Sequence, residues 1–121
     1  MSYRICLRLV VVAIAWGIVF SASAQTCGFL GQRTIKGFWI ENGLGLVVTP
    51  TQNFDNAAAC TKTVQAIVLQ SHPLYKQMHA SVMMAMATGT PINAYGCGCQ
   101  AAWNNDTYPL IVNFGVAVTP Q

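Results

Sequence analysis

The clearest periodic pattern in the chain lies near its C-terminus. Every second position is apolar over nine residues: Leu110, Val112, Phe114, Val116 and Val118. A period of two is that of a strand with one buried face. We therefore predict a strand over 108–118 with Val112 and Phe114 in the core.

A second β pattern lies in the first half of the chain. β-Branched and aromatic residues fill 34–41, the pair Asn42-Gly43 follows, and apolar positions alternate over 44–49. Asn-Gly supplies the two positive-φ residues of a type I′ turn, so this segment predicts a hairpin. The next ten residues have no period and predict a loop, and two further strands are predicted at 63–69 and 91–97.

A helix is predicted between those last two strands. Ser71 or His72 is the predicted cap, Pro73 lies in the first turn, and Gly89 follows the last helical residues. The core-facing stripe, spaced at about 100° per residue, contains Leu74, Tyr75, Met78, Val82, Ala85 and Met86. Met83 and Met84 fall outside this stripe, where they fit either an oligomer interface or isolated exposed methionines.

The order of these elements predicts the fold class. Three strands, one helix and two strands form the β-β-β-α-β-β order of an OB-type five-stranded barrel, a mainly β fold with one helix. An open α+β sheet is the alternative. No internal repeat is visible, and we expect a single domain over 25–121.

The first 24 residues have the composition of a signal peptide. Arg4 and Arg8 form a basic start, residues 9–20 are apolar, and Ala22-Ser23-Ala24 is a small-x-small cleavage site. The apolar run is shorter than the roughly 20 residues that span a bilayer. We therefore expect a secreted or periplasmic protein that begins at Gln25 and has no membrane span.

Removing the leader changes the charge balance. The whole chain is 54% hydrophobic and 7% charged. Taking 24 residues from 121 leaves 97, with these charged residues: Arg33, Lys36, Lys62, Lys76, Glu41, Asp55 and Asp106. Four scattered cations offer no track for a phosphate backbone, so nucleic acid is not an expected partner. Such a low charge predicts that another copy of this chain, or a different chain, covers some apolar surface.

Four cysteines follow the leader: Cys27, Cys60, Cys97 and Cys99. An even number in an exported chain predicts disulfides. A bond between Cys97 and Cys99 would close a strained ring around Gly98. We therefore predict that Cys27 and Cys60 each bond to one of this pair, in either combination.

The residues that could carry catalysis are few. Glu41, Asp55 and Asp106 lie far apart in turns or loops, and no serine lies in a glycine-flanked elbow. His72 and His79 are seven residues apart, beyond the i, i+4 spacing of a helical metal pair. We expect a binding protein without catalytic residues, metal or cofactor, and a small disulfide-stapled enzyme remains an alternative.

The loop before the last strand is the candidate ligand site. It carries Trp103, Asn104, Asn105, Asp106 and Tyr108. Aromatic faces stack on the C–H surfaces of sugars, while amides and carboxylates hydrogen-bond their hydroxyls. Turn formation and burial of the tryptophan would explain the same composition. The loop therefore predicts a carbohydrate site, with a purely structural turn as the alternative.

A family resemblance covers 74–113. It rests on a Tyr-Lys-x-Met helix, on Ala-x-x-x-Gly-Thr-Pro-Ile, and on a Trp before Tyr108-Pro109-Leu110-Ile111-Val112-Asn113. This stretch resembles the receptor-binding B subunits of bacterial AB5 toxins, of the typhoid toxin and subtilase cytotoxin kind. The resemblance implies an OB fold, a homo-oligomeric ring of five subunits, binding of sialylated host glycans or glycoproteins, and an exported A subunit.

The chain also departs from that family. The family has a Tyr-Ser element near the mature N-terminus and an Arg on the fourth strand, where this chain has Gln25-Thr26-Cys27 and Asn93. No glycan-contact residue of the family carries over. Two hypotheses follow: a toxin B-subunit-like glycan-binding ring, or a small secreted or periplasmic OB-fold protein that binds a protein partner without a toxin role.

Overall fold

The computed structural model describes residues 25–116. The predicted signal peptide and the end of the last predicted strand, including Val118, lie outside these residues. The elements in chain order are β1 (Cys27–Arg33), β2 (Ile35–Glu41), β3 (Gly45–Pro50), β4 (Ala66–Leu69), α1 (Tyr75–Thr88), β5 (Ile92–Ala101), a 3₁₀ turn (Trp103–Asn105) and β6 (Thr107–Val116).

The six strands form one sheet in the order β1-β5-β6-β4-β3-β2. All neighbours are antiparallel except β4 and β6, which pair in parallel with Ile67 opposite Leu110. The mainly β class with one helix is confirmed. The sheet differs from the predicted five-stranded closed barrel, because β1 is an additional strand and β1 and β2 lie at its two edges. Only Thr34 separates these edge strands along the chain.

The first strand has no periodic signal because it contains a bulge. Its register against β5 shifts between Phe29 and Gly31, and Gly31 has a φ of +100°. The strand pairs with β5 from Cys27 opposite Cys97, where the two residues form a disulfide. Long-range pairing, rather than local alternation, therefore defines β1.

The loop after β3 lies against β1. The backbone N–H of Asp55 donates to the carbonyl of Leu30 at 2.9 Å, and that of Thr51 donates to the carbonyl of Thr34 at 2.9 Å. Phe54 is 3% exposed and belongs to the main core. The predicted loop is confirmed as irregular, and one aromatic side chain anchors it beside the sheet edge.

The predicted hairpin is present, but the type I′ turn is wrong. Glu41 pairs with Gly45, so three residues form the loop, and the Leu44 N–H donates to the Glu41 carbonyl at 3.1 Å. Positive φ occurs at Gly43 (76°) and Gly45 (140°) but not at Asn42. A Cβ at position 45 would lie 2.1 Å from the Val68 carbonyl oxygen, so the close approach of β4 requires glycine there.

The helix ends as predicted but begins differently. Gly89 has a φ of 66° and closes the last turn through bonds to the carbonyls of Ala85 and Met86. At the other end Leu74 is the N-cap, without a side-chain cap bond, and Pro73 precedes the helix. Neither Ser71 nor His72 is therefore the N-cap residue, as one of them was predicted to be. His72 Nδ1 nevertheless accepts the Leu74 N–H at 3.0 Å.

The buried face of α1 is narrower than the predicted stripe. Met78, Val82 and Ala85 are buried, and Tyr75 packs partly buried against the core. Leu74 and Met86 are 49% and 40% exposed, so their predicted burial is wrong. The contact between the helix and the rest of the fold therefore covers a narrower strip of the helix surface than the predicted stripe.

The alternation in β6 is interrupted by a bulge. Gly96 pairs with Ile111 and Tyr95 with Asn113, which leaves Val112 as the extra residue. Ile111 is 1% exposed, whereas Val112 lies outside the core clusters and Phe114 packs partly buried at the core's margin. The predicted core position of Val112 is therefore wrong, because the bulge shifts the inward face by one residue. The prediction for Phe114 holds only in part, since this residue lies opposite the buried Ala94 but is itself only partly buried.

Apolar residues pack in two clusters. The main one lies between the sheet and α1 and includes Leu46, Val48, Val68 and Val82. The smaller one contains Val47, Ile67 and Tyr108, on the opposite face of β3 and β4. These strands are therefore covered on both faces, and the smaller cluster underlies the predicted ligand loop.

Two disulfides join distant parts of the fold. Cys27 bonds to Cys97 and Cys60 to Cys99, across 70 and 39 residues of sequence. As predicted, Cys27 and Cys60 each bond to one cysteine of Cys97-Gly98-Cys99. The sequence left two combinations open, and the structure has Cys27 with Cys97 and Cys60 with Cys99. Disulfides are typical of proteins in oxidising compartments. Within 25–116 no helix is long and apolar enough to cross a membrane.

Candidate functional site

The predicted ligand loop is a tight turn between β5 and β6. The Asp106 N–H donates to the Trp103 carbonyl at 2.9 Å, and the Ala102 N–H donates to the Asp106 carbonyl at 3.0 Å. Asn104 and Asn105 both have left-handed backbones, with φ of 55° and 60°. Asparagine tolerates this conformation better than most residues, which explains the Asn-Asn sequence. Both side chains are exposed.

Three aromatic rings form a row beside this turn. Trp103 packs edge-on to Tyr108, with ring centroids 5.3 Å apart, and lies 5.8 Å from the ring of Trp39 on β2. Tyr108 is 7% exposed, so it supports Trp103 from below rather than facing solvent. Trp39 is 38% exposed. The row therefore runs from the smaller core cluster to an accessible aromatic surface.

Carboxylates border the aromatic row on two sides. Glu41 Oε2 accepts the indole N–H of Trp39 at 3.1 Å, and Asp106 Oδ1 accepts the Thr61 hydroxyl at 3.2 Å. Neither carboxylate forms a salt bridge within the described residues. Burial raises the pKa of Tyr108, and the nearby charge of Asp106 adds to this effect. We name Trp39, Glu41, Trp103, Asn104, Asn105 and Asp106 the tryptophan surface.

Thr61, the residue that follows Cys60, is hydrogen-bonded to the end of the turn. Its hydroxyl accepts the Thr107 N–H at 2.7 Å, and its own N–H donates to Thr107 Oγ1 at 3.0 Å. The neighbouring disulfide ties Cys60 to Cys99 on β5. The turn is therefore held from both sides before any ligand arrives, which lowers the conformational cost of binding.

A cavity lies beside the smaller core cluster. Leu44 and Leu69, like Trp103, pack against the cluster that contains Tyr108, and these two leucines line a cavity of about 380 Å³. Gly43, Gln70 and Ser71 complete its lining.

Sequence reasoning missed Trp39 as a site residue. It lies 64 positions before Trp103, and only the strand order places β2 and the turn near each other. A signal was nevertheless present, because alternation along β2 puts Trp39 on the face opposite Phe38 and Ile40. Trp39 lies opposite Val47 of the smaller cluster and is still 38% exposed, so it borders that cluster at the protein surface.

The other predicted residues lie apart from this surface. Met83 and Met84 are 49% and 55% exposed on α1, as predicted. His72 does not face solvent freely, since its Nε2 lies 2.8 Å from the Val112 carbonyl at the bulge. The ring of His79 lies between those of Phe38 and Tyr75.

Comparisons with protein-family models, with curated proteins and with solved structures found no match to this chain.

Proposed function

We propose that the protein is an exported, non-enzymatic binding module that recognises carbohydrate through the tryptophan surface. The observation that carries this proposal is the contact between the exposed Trp39 and the partly exposed Trp103, beside the exposed Asn104 and Asn105. Aromatic faces and planar amides are the two kinds of group that a sugar ring requires. The two disulfides and the predicted leader support export.

The charges of this surface favour uncharged sugars. Glu41 and Asp106 accept hydrogen bonds from hydroxyls well, but they repel a carboxylate brought close to them. The AB5 resemblance implies a sialylated ligand, and sialic acid carries such a carboxylate. We therefore propose a neutral host glycan or glycoprotein glycan as the ligand.

The scaffold that we propose is an OB-type barrel. β1 and β2 are the two edges of the sheet, yet a single residue separates them in the chain, so the proposal treats them as the two halves of one bent strand. Counting them as one leaves five strands, with β4 and β6 parallel and a helix between β4 and β5. These features support the OB-type barrel suggested by the element order.

A glycan array with matched neutral and sialylated oligosaccharides tests the proposed function. We expect binding to neutral sugars and weaker binding to their sialylated forms. Trp103→Ala should lower affinity about tenfold or more, which corresponds to about 1.4 kcal/mol. Ile40→Ala is the control, because Ile40 is an exposed apolar residue on the face of β2 opposite to Trp39.

A second variant separates binding from folding, because Trp103 also packs on Tyr108. Asn104→Gly combined with Asn105→Gly keeps the positive φ of the turn and removes only the amides. Weaker binding with an unchanged melting temperature supports the site. If no sugar on the array binds, the carbohydrate function is wrong and the alternative, an OB-fold protein that binds a protein partner without a toxin role, takes its place.

We further propose that the protein assembles as a toxin-like ring in which α1 lies at a subunit contact. The support is the pair of exposed methionines, Met83 and Met84, together with the low charge of the chain. Replacing both by Lys should shift the protein toward monomer in sedimentation velocity without unfolding it. The control adds the same charge at Thr51 and Gln52, two exposed loop residues. A wild-type protein that is monomeric at tens of micromolar would exclude the ring.

A further inference from the structure

A second group of exposed aromatic residues lies on β1 and β5. Phe29 pairs directly with Tyr95, and their ring centroids are 5.0 Å apart. The rings are 45% and 49% exposed, whereas the adjoining Leu30 and Ala94 are buried in the main core. Phe29 and Tyr95 therefore face outward, and neither belongs to the tryptophan surface.

Amide side chains continue this face across the sheet. Asn113 on β6 lies opposite Tyr95, and one row further along Gln32 pairs with Asn93. The three amide groups make no hydrogen bond with the described residues, and Asn113 and Gln32 are exposed. Their donors and acceptors are therefore available to a ligand.

Two features of this face favour binding: there is space for a ligand beside Gly115, and a disulfide joins the two strands that carry the rings. Gly115 lies opposite Asn93, and a Cβ added there would meet no atom of residues 25–116 within 4 Å. The disulfide between Cys27 and Cys97 joins the same two strands two residues beyond Phe29 and Tyr95. The ring pair is therefore held on crosslinked strands with open space beside it.

The chemistry of this face indicates its occupant. None of the six outward positions, Phe29, Tyr95, Asn113, Gln32, Asn93 and Gly115, carries a charge. The apolar part is limited to two rings bordered by amides, which is small for a protein interface. An uncharged ligand with one flat apolar face and several hydroxyl or N-acetyl groups fits both features. A neutral saccharide has this chemistry.

We propose that this face, the Phe29–Tyr95 surface, is a second carbohydrate-binding surface that takes a neutral saccharide independently of the tryptophan surface. The two surfaces share no residue, and the inference has in common with the proposed function only that the ligand is a neutral saccharide. Each chain then binds two sugars and can bridge two glycans.

A titration with chitotriose, a neutral oligosaccharide of N-acetylglucosamine, tests this inference. Two-dimensional NMR of labelled protein follows the side-chain amides of Asn93 and Asn113 and the Trp39 and Trp103 indoles at once. We expect both sets to shift and calorimetry to give two sites per chain. Tyr95→Ala should abolish the shifts at Asn93 and Asn113 or lower the affinity that they report about tenfold. The indole signals of Trp39 and Trp103 should still shift.

Matched variants control this experiment. Tyr95→Phe keeps the ring and should bind within about threefold of wild type, and Val64→Ala truncates an equally exposed residue away from both surfaces. Shifts at the indoles alone would overturn this inference and leave the proposed function standing. Shifts at Asn93 and Asn113 alone would support the inference and refute the tryptophan surface as a site. An absence of shifts at both surfaces would overturn both.

Discussion

The bulge at Val112 makes a sharp prediction about stability, because it assigns neighbouring residues to different environments. Ile111 is 1% exposed in the main core, whereas Val112 lies outside the core clusters. An unbroken alternation would instead bury Val112 and turn Ile111 outward. Truncating each residue to alanine therefore distinguishes the two registers.

The size of each effect follows from the atoms removed. Ile111→Ala deletes three buried carbons, worth about 2.4 kcal/mol at about 0.8 kcal/mol each. The cavity that remains adds to this, so we expect a loss of about 3 to 4 kcal/mol. Val112→Ala deletes two half-buried carbons and keeps the carbonyl that contacts His72. We expect it to cost about 0.8 kcal/mol.

Thermal unfolding followed by circular dichroism, with both disulfides intact, measures the difference. In a domain of this size the melting temperature should fall by about 15 to 25 °C for Ile111→Ala and by about 5 °C for Val112→Ala. Urea unfolding should give the same order with an unchanged slope. Asn113→Ala, at an exposed position of the same strand, serves as the control. If Val112→Ala costs as much as Ile111→Ala, the bulge is wrongly placed.

Two other predictions concern the covalent and ionisable groups. Replacing Cys60 and Cys99 together by Ser removes a disulfide that closes a loop across 39 residues. The chain-entropy relation predicts that the free energy of unfolding then falls by about 4 kcal/mol. A loss below about 1 kcal/mol, measured by urea unfolding, would contradict that relation. Burial raises the pKa of Tyr108, so the folded state retains this proton when the unfolded chain releases it, and stability should fall as pH rises above about 10. Tyr108→Phe should lose less stability between pH 9 and pH 11 than wild type, and equal losses would show that Tyr108 does not cause the dependence.

Several features of the fold follow from residues close together in sequence. Gly89 ends the helix because glycine adopts the left-handed backbone that closes the last turn, and Asn42-Gly43 marks a chain reversal. The two Asn residues after Trp103 form a turn for the same local reason. The strained ring around Gly98 excludes one of three disulfide pairings. Such features need only neighbouring residues, so the sequence alone predicts them.

Only the tertiary structure decided the features that depend on distant partners. The bulge at Val112 arises where β6 pairs with β5, and no local pattern distinguishes Val112 from the alternating positions on either side of it. β1 exists because it pairs with β5 and bonds Cys27 to Cys97. Trp39 meets Trp103, and Phe29 meets Tyr95, across 64 and 66 residues of chain. The period of a sequence describes which face of an element is apolar, but pairing and packing determine which element that face meets.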